Sequence, residues 1–178
     1  MLNDKPTDFA LLFALSNKDL GLPEFSVRKA AKKKKAPYKK PQSVKDFELA
    51  HQKWTYRDSS IESKLWVYNK FSDNSANDLT KLIIEWLKVH GYFGARINSG
   101  ATFDRRLGIY RKGSGATAGM ADINSVVNGK SISIEVKFGK DKIRDSQIKV
   151  KAEIEAAGGI YLIVRTFDGF LEEIKKYI

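Results

Sequence analysis

The dipeptide Asn128-Gly129 constrains the fold of this chain more than any other feature of its sequence. It lies between two short segments rich in β-branched residues. Asn-Gly in that setting favours a two-residue β-hairpin turn. Both central residues of a type I′ turn take a positive φ, which asparagine and glycine tolerate better than other residues. Such a turn pairs Val127 with Lys130, and this first pair fixes every later one. The sequence therefore predicts two antiparallel strands, at residues 121–127 and 131–137.

The predicted register brings three ionisable side chains to one face of the hairpin. Asp122 lies directly opposite Glu135, as a close cross-strand neighbour. Because side chains alternate along a strand, Lys137 shares the face of Glu135. The other face of the second strand is aliphatic and carries Ile132, Ile134 and Val136.

Two facing carboxylates repel each other, so a purely structural hairpin gains nothing from Asp122 and Glu135. A divalent cation removes the conflict, and Mg²⁺ or Mn²⁺ commonly binds one or two carboxylates together with substrate phosphate. A lysine beside such a metal can orient or deprotonate water and offset the charge of a phosphate. The two carboxylates and Lys137 thus predict a metal-dependent hydrolytic site. The alternative is a surface hairpin with an ordinary ladder of glutamate and lysine.

The charge of the chain favours a polyanionic partner. Its 178 residues include 32 lysines and arginines against 21 aspartates and glutamates, a formal net charge of +11. Such a surface attracts nucleic acid, although ordinary solubility or an anionic membrane surface are alternatives. With no cysteine and two histidines, disulfides, thiolate zinc sites and histidine-based triads are not expected.

No membrane or export signal is expected. The apolar run at residues 9–15 is too short to cross a membrane, and it follows Asp4 and Asp8 rather than the basic n-region of a signal peptide. We therefore expect a cytoplasmic protein, located in the host cytoplasm if the chain is viral, with no membrane partner.

Composition divides the chain into a basic N-terminal arm (residues 1–41), a helical extension (42–75) and an α/β unit (76–178). The arm should be extended, and it binds phosphates by counterion release unless it is only a linker. Its candidate contacts are Lys32, Lys33, Lys34 and Lys35. In the extension, Ser59 and Glu62 are spaced as a capping box, which predicts a helix through Tyr68. Its aromatic residues either stack on bases or pack against the core. Residues 1–75 could also dock onto a protein partner, with the apolar run at residues 9–15 as the anchor. A short helix is expected at residues 8–16.

Further helices and strands are expected around the hairpin. Apolar spacing predicts helices at residues 78–89, 141–157 and 170–178, strands at 93–98 and 160–165, and a loop at 99–119. The helix at 141–157 has an apolar stripe that includes Gln147, so this amide should point toward the sheet and bind either the predicted site or the backbone. The stripe consists of Ile143, Gln147, Val150, Ile154 and Ala157.

The loop at residues 99–119 is basic and could contact phosphates beside the metal, unless it is an ordinary surface segment. Its candidate contacts are Arg105, Arg106, Arg111 and Lys112, with Asn98 just before them. A nucleoside triphosphate site is not expected, because Gly129-Lys130-Ser131 ends like a P-loop but follows a hairpin turn.

Several of these residues also match a known signature. Asp122, followed after twelve residues by Glu135-Val136-Lys137, resembles the PD-(D/E)XK nuclease motif. The segments Gly119-Met-Ala-Asp122, Ser146-Gln147 and Gly158-Gly-Ile-Tyr-Leu-Ile-Val164 are similar to the VRR-NUC branch, found in virus-type replication–repair nucleases. The resemblance extends over about residues 76–166.

The resemblance implies a restriction-endonuclease-like α/β core: a small mixed sheet with an antiparallel hairpin flanked by helices, here with a basic N-terminal helical extension. Asp122 and Glu135 would bind Mg²⁺ (or Mn²⁺) with the backbone carbonyl of Val136. Lys137 would orient or activate the attacking water, and Gln147 would be the fourth catalytic residue. The family also has an acidic residue at the start of its first helix. Asp78 stands where the family has a glutamate and is a candidate metal ligand, with Glu85 as another; Ala121 replaces the family's proline.

The sequence therefore predicts a Mg²⁺-dependent DNA endonuclease that hydrolyses phosphodiester bonds in replication, repair or recombination. The resemblance implies branched or junction DNA as substrate and a homodimer. Two alternatives stay open: a restriction-type nuclease that acts on duplex DNA, and a non-catalytic nucleic-acid-binding protein with a nuclease-like fold.

Overall fold

Helices and strands alternate through the part of the chain that the computed structural model describes, residues 37–97, 102–111 and 117–178. The helices are α1 (Gln42–Thr55), α2 (Ala76–Val89), α3 (Asp145–Ala156) and α4 (Phe167–Ile174), with a short 3-10 helix at Ser63–Leu65. The strands are β1 (Phe93–Arg96), β2 (Thr102–Asp104), β3 (Ile109–Arg111), β4 (Ile123–Val127), β5 (Lys130–Val136) and β6 (Ile160–Val164). The protein is thus a mixed α/β structure, as expected.

The predicted hairpin forms with the predicted register. The turn residues Asn128 and Gly129 have φ angles of 47° and 77°, which only residues tolerant of the left-handed region adopt readily. Val127 pairs with Lys130, and the pairing continues to Ile123 opposite Ile134. Turn chemistry therefore sets which side chains of β4 and β5 face each other.

The hairpin forms the centre of a four-stranded mixed sheet with the order β1-β4-β5-β6. Strands β1 and β4 pair antiparallel, as do β4 and β5, whereas β5 and β6 are parallel. A parallel neighbour requires a crossover, which α3 provides between β5 and β6. The end of β5 lies close to the start of α3, because Lys137, just after the strand, contacts Gln147 in the first turn of the helix.

The two faces of the sheet differ in what covers them. The aliphatic face of β5 packs into the main core with α1, α2 and α4; its members include Val44, Phe47, Leu79, Leu82, Ile83, Ile132, Ile134, Phe167 and Phe170. The opposite face meets α3 in a smaller cluster that contains Ala121, Val150 and Tyr161. The face that carries Glu135 is therefore covered by a single helix and leaves room for a cavity at its edge.

The helix predicted from Ser59 through Tyr68 does not form. Ser59 instead accepts a hydrogen bond from the backbone N–H of Ile61, and only the 3-10 helix follows. The segment after the 3-10 helix is extended, and two of its backbone N–H groups donate to side chains of α1 and of the turn that follows α1. Val67 N–H donates to Tyr56, and Phe71 N–H donates to Glu48. These tertiary hydrogen bonds outweigh the local capping signal.

Other expectations shift at their boundaries. The helix predicted at residues 141–157 begins at Asp145, so Ile143 and Ala157 lie outside it and are exposed. The predicted loop at 99–119 contains a small hairpin, β2 with β3. Helix α4 begins at Phe167, three residues earlier than expected, because Thr166 caps it. The helix expected at 8–16 lies outside the described residues.

Within the described ranges, no helix has both the length and the apolar character that crossing a membrane requires.

Candidate active site

Asp122 is held in place by the backbone of two neighbouring strands. Its carboxylate oxygen Oδ2 accepts a hydrogen bond from Val136 N–H at 2.9 Å. Its carbonyl accepts from Ile97 N–H, just beyond β1, at 2.8 Å. It lies one position beyond the last β4–β5 pair, Ile123 with Ile134, so the hairpin register sets it opposite Glu135.

Glu135, Lys137 and Gln147 form one buried hydrogen-bonded network. The ammonium group of Lys137 lies 2.8 Å from Glu135 Oε1 and donates to Gln147 Oε1 at 2.8 Å. Gln147 Nε2 donates to the same Glu135 oxygen at 2.5 Å. All three side chains are less than a tenth exposed. Each buried charge thus has a partner, as burial requires.

The start of helix α3 delivers Gln147 to this network. Gln147 is in the first turn of α3, and its Oε1 also accepts from the backbone N–H of Arg144 at 3.0 Å. This bond satisfies a backbone donor at the helix start, as in a capping box. The inward direction expected from the apolar stripe is confirmed, and the amide binds both the site and the backbone.

The second carboxylate oxygen of Glu135, Oε2, takes no part in this network. Glu135 Oε2 is buried, and no group in the described part of the chain hydrogen-bonds to it. Burial raises the pKa of Glu135, against the lowering effect of the Lys137 hydrogen bond, and the negative charge of Asp122 raises it further. A buried, unpartnered carboxylate oxygen beside a second carboxylate is the environment that a bound cation stabilises.

Tyr161 on β6 lies behind the two carboxylates. Its hydroxyl is buried and makes no well-formed hydrogen bond to a described residue, although it lies close enough to the Glu135 carboxylate for the two groups to interact. Burial raises the pKa of Tyr161, and the charges of Glu135 and Asp122 raise it further. The tyrosine is therefore neutral and adds no charge to the site.

Asp122, Glu135, Lys137 and Gln147 border a cavity of about 290 Å³. Its charged lining residues are Asp122, Glu135, Asp141, Arg96, Lys137 and Arg144. The two carboxylates of Asp122 and Glu135 lie near the single ammonium group of Lys137, whereas Arg96 and Arg144 add positive charge elsewhere in the lining. A cation and a phosphate could therefore be bound side by side.

Gly119 allows the segment before Asp122 to lie close to the start of α3. Its φ is 93°, and a Cβ there would lie 2.2 Å from the carbonyl oxygen of Ser146 and 2.9 Å from the N atom of Gln147. Only glycine fits both the conformation and the space. The segment before Asp122 can therefore pack directly on the first turn of α3.

The structure brings together Asp122, Glu135, Val136, Lys137 and Gln147, all of which line the cavity. Asp78 does not join them. It is exposed in the first turn of α2, where its backbone N–H donates to Ser75, and Asn77 lines the cavity instead. Glu85, farther along α2, pairs with His51 and not with the site. Within the described ranges, no three histidine or acidic side chains are grouped as metal ligands.

The predicted phosphate-binding residues are placed only in part. Arg105 and Arg106 are exposed on the turn between β2 and β3 and do not line the cavity. The backbone of Arg111 belongs to β3. The remaining candidates lie outside the described residues: Asn98, Lys112, Lys32, Lys33, Lys34 and Lys35.

The cavity also contains residues that the sequence patterns did not single out, chiefly Arg96 and Arg144. Arg96 ends β1, and its guanidinium donates to Asn77 of α2. Arg144 directly precedes α3. Their basic character gave a general signal, but nothing local to either residue indicated which strand end or helix start would face Asp122.

The sequence matches no model of a known protein family and no curated protein.

Proposed function

We propose that this protein is a Mg²⁺-dependent nuclease with a PD-(D/E)XK-type core that hydrolyses phosphodiester bonds in DNA. The observation that carries the proposal is the pairing of Asp122 with Glu135, one of whose buried oxygens has no hydrogen-bond partner among the described residues. Lys137 and Gln147 hold the other oxygen. The resemblance to the VRR-NUC nucleases supports the same assignment.

Asp122, Glu135 and the backbone carbonyl of Val136 would hold the metal. Their hard oxygen ligands suit Mg²⁺ or Mn²⁺. When bound, the metal supplies positive charge for the phosphate and lowers the pKa of water. Asp122 is anchored through its second oxygen by Val136 N–H, which fixes its orientation toward Glu135.

The role of Lys137 in this proposal is to orient the attacking water. Among the described residues, its ammonium group uses two of its three N–H donors, on Glu135 and Gln147. The third donor remains for a water molecule or a phosphate oxygen. Both acceptors are buried and hydrogen-bonded, so they hold the ammonium in a defined position, which lowers the entropic cost of alignment.

Arg96 and Arg144 would bind the phosphates on either side of the bond that is cut. Guanidinium groups match phosphate oxygens in two-point hydrogen bonds. In the reaction, a water oxygen attacks phosphorus and the bond to the 3′-oxygen breaks. That oxygen takes up a proton, leaving a 3′-hydroxyl and a 5′-phosphate. Branched DNA and a homodimer belong to this proposal through the family resemblance.

The decisive experiment is a cleavage assay on junction, flap, duplex and single-stranded DNA with Mg²⁺ or Mn²⁺. We expect Asp122→Asn, Glu135→Gln and Lys137→Met each to lower the cleavage rate by roughly a hundredfold or more, as removal of a group that stabilises transition-state charge does. Glu153→Gln, which neutralises an exposed carboxylate on α3, serves as the matched control.

The outcomes separate the alternatives. Cleavage confined to linear duplex would replace the branched-DNA assignment with a restriction-type activity. If the wild-type protein binds DNA but cuts none of the substrates with either metal, the nuclease proposal fails, and a non-catalytic binding protein remains.

A further inference from the structure

Three adjoining cavities follow helix α2, beginning at the candidate active site. The cavity that contains Asp122 shares Asn77, Thr80 and Arg96 with an adjoining cavity of about 200 Å³. That second cavity shares Lys81 and Glu85 with a third of about 370 Å³. We call the second and third cavities together the α2 groove.

The groove follows one face of α2. Asn77, Lys81 and Lys88 are spaced by four and seven residues, so they lie along one side of the helix. The rise of an α-helix places Lys88 about 16 Å from Asn77 along the axis. At roughly 3.4 Å per nucleotide in a stacked strand, this length corresponds to about five phosphates.

Basic side chains line the groove from end to end. Arg96 lies where the groove meets the candidate active site. Lys70, Lys81 and Lys88 line the two cavities of the groove. The one acidic side chain among the lining residues of these cavities is Glu85. It is paired with His51 at 3.3 Å and with Lys88 at 3.8 Å, so its charge is offset locally.

The far end of the groove contains Trp54 of α1. The guanidinium of Arg57 lies 4.6 Å from the centre of its ring, and the ammonium of Lys88 lies 5.7 Å from it. The other two tryptophans are engaged elsewhere: Trp66 stacks on Tyr56, and Trp86 is buried in the core. Trp54 is thus an aromatic ring beside cations at the end of a basic groove.

We propose that the α2 groove binds a single-stranded DNA segment that extends from the candidate active site to Trp54. A basic groove that follows a backbone and ends at an aromatic ring is how proteins bind single strands, because the ring can stack on any base. A base paired within a duplex could not present its face to Trp54. The inference rests on the proposed function in naming the substrate of that site: DNA with a single-stranded arm of about five nucleotides.

The test is the affinity for a labelled oligothymidylate in EDTA, where no metal-dependent cleavage occurs. We expect the double variant Lys81→Gln/Lys88→Gln to bind at least tenfold more weakly at low salt. The slope of log K against log salt should fall by about 1.4, because each phosphate of a single strand that a lysine neutralises contributes roughly 0.7. Both lysines are exposed on α2, so the substitutions remove no buried side chain, and thermal unfolding checks that the fold is kept.

The matched control is Lys175→Gln/Lys176→Gln. It removes the same charge from exposed positions. The next residue, Tyr177, accepts a hydrogen bond from the side chain of Asn128, so this segment lies at the turn end of the hairpin, opposite the end that carries Asp122. Its affinity should equal that of the wild type. If the groove and control variants bind alike, the groove proposal is overturned.

Substitution of Trp54 tests stacking separately from charge. Trp54→Leu should weaken binding about tenfold, within the range for removal of one stacked base, whereas Trp54→Phe should retain most of the affinity because phenylalanine keeps an aromatic face. Because the ring is partly buried, thermal unfolding of both variants is measured in parallel. An equal decrease in affinity in both variants, with unchanged stability, would contradict a stacking role.

Cleavage separates failure of this proposal from failure of the proposed function. If the groove variants lose affinity for single strands and no DNA is cut by the wild type, the groove stands and the nuclease does not. If junction and flap DNA are cut normally by the groove variants and single-strand binding is unchanged, the nuclease stands and the groove is overturned.

Discussion

Gln147 has three side-chain hydrogen bonds in the candidate active site, although it belongs to a helix whose residues are mostly exposed. Its amide links Lys137, Glu135 and the backbone N–H of Arg144. The side chain therefore couples the end of β5 to the start of α3. Replacing it disturbs a buried ion pair and a helix start together.

We expect Gln147→Ala to lower the free energy of unfolding by about 1–3 kcal/mol, because it leaves buried polar partners unsatisfied. Cleavage should fall as well, since Lys137 loses one of the two acceptors that hold it. Urea unfolding and the cleavage assay measure the two effects. Ile148→Ala, at a half-exposed neighbouring position, should change neither; an equal effect there would contradict the assigned role.

The raised pKa of Glu135 makes the stability of the metal-free protein depend on pH. The folded state holds the Glu135 proton more tightly than the unfolded chain does. Between the ordinary pKa of glutamate and the raised value, the folded state thus binds more protons, and its stability falls as pH rises.

We expect the free energy of unfolding of the wild type, minus that of Glu135→Gln, to decrease with rising pH through that window. Above the window the difference should become constant. Urea unfolding in EDTA at a series of pH values measures the difference, from which the carboxylates common to both proteins cancel. Glu153→Gln, which removes an exposed carboxylate from α3, serves as the control. A wild-type stability that rises relative to Glu135→Gln across the same window would disprove the assignment.

At the scale of residues, periodicity predicted the central group and little beyond it. Strand alternation and the Asn-Gly turn sufficed to place Asp122, Glu135 and Lys137 on one face. Tyr161 could not be found in this way, because the sequence does not state that β6 lies beside β5. Asp78 was a candidate through the family resemblance alone, and the helix turns Asn77 toward the cavity instead.

At the scale of elements, the candidate site depends on how closely the segment before β4 packs on α3. Gly119 takes a positive φ and lies against the peptide between Ser146 and Gln147. Any side chain at Gly119 meets backbone atoms, which cannot rotate away. The first turn of α3 would have to move, and Gln147 with it.

We expect Gly119→Ala to destabilise the protein by about 1–3 kcal/mol through overpacking and to reduce cleavage sharply. Gly139→Ala is the matched control, because Gly139 also has a positive φ, of 57°, but nothing lies within 4 Å of its added Cβ. Thermal unfolding and the cleavage rate are compared in both variants. If Gly139→Ala impairs cleavage as much as Gly119→Ala, backbone conformation and not close packing is responsible.

The elements themselves were predicted best where the sequence carries both a periodic pattern and an end signal. Helix α2 has Leu79, Leu82 and Ile83 on one face, and Gly91 follows its end with a φ of 77°. The helix expected after Ser59 had a start signal but no buried face. The segment instead extends toward Phe71, which packs into the core, so tertiary packing outweighs a local propensity.

For the whole molecule, metal binding should stabilise the folded state, because the unfolded chain does not hold two carboxylates together. Saturation at a hundred times Kd would add about 2.7 kcal/mol. We expect Mg²⁺ to raise the melting temperature of the wild type measurably. Asp122→Asn should lose this increase, while Asp168→Asn, on α4, should keep it. A wild type whose melting temperature is the same in Mg²⁺ and in EDTA would contradict metal binding.

The hairpin also has a consequence for the order in which the molecule folds. Asp122, Glu135, Lys137 and Gln147 come from one short stretch of chain, so the candidate site is made of local contacts, which form quickly. The far end of the α2 groove is non-local, since His51 of α1 must first reach Glu85 of α2. The contacts at the centre of the site are therefore closer in sequence than those of the surface proposed to guide a DNA strand into it, and that surface exists only once α1 and α2 have docked.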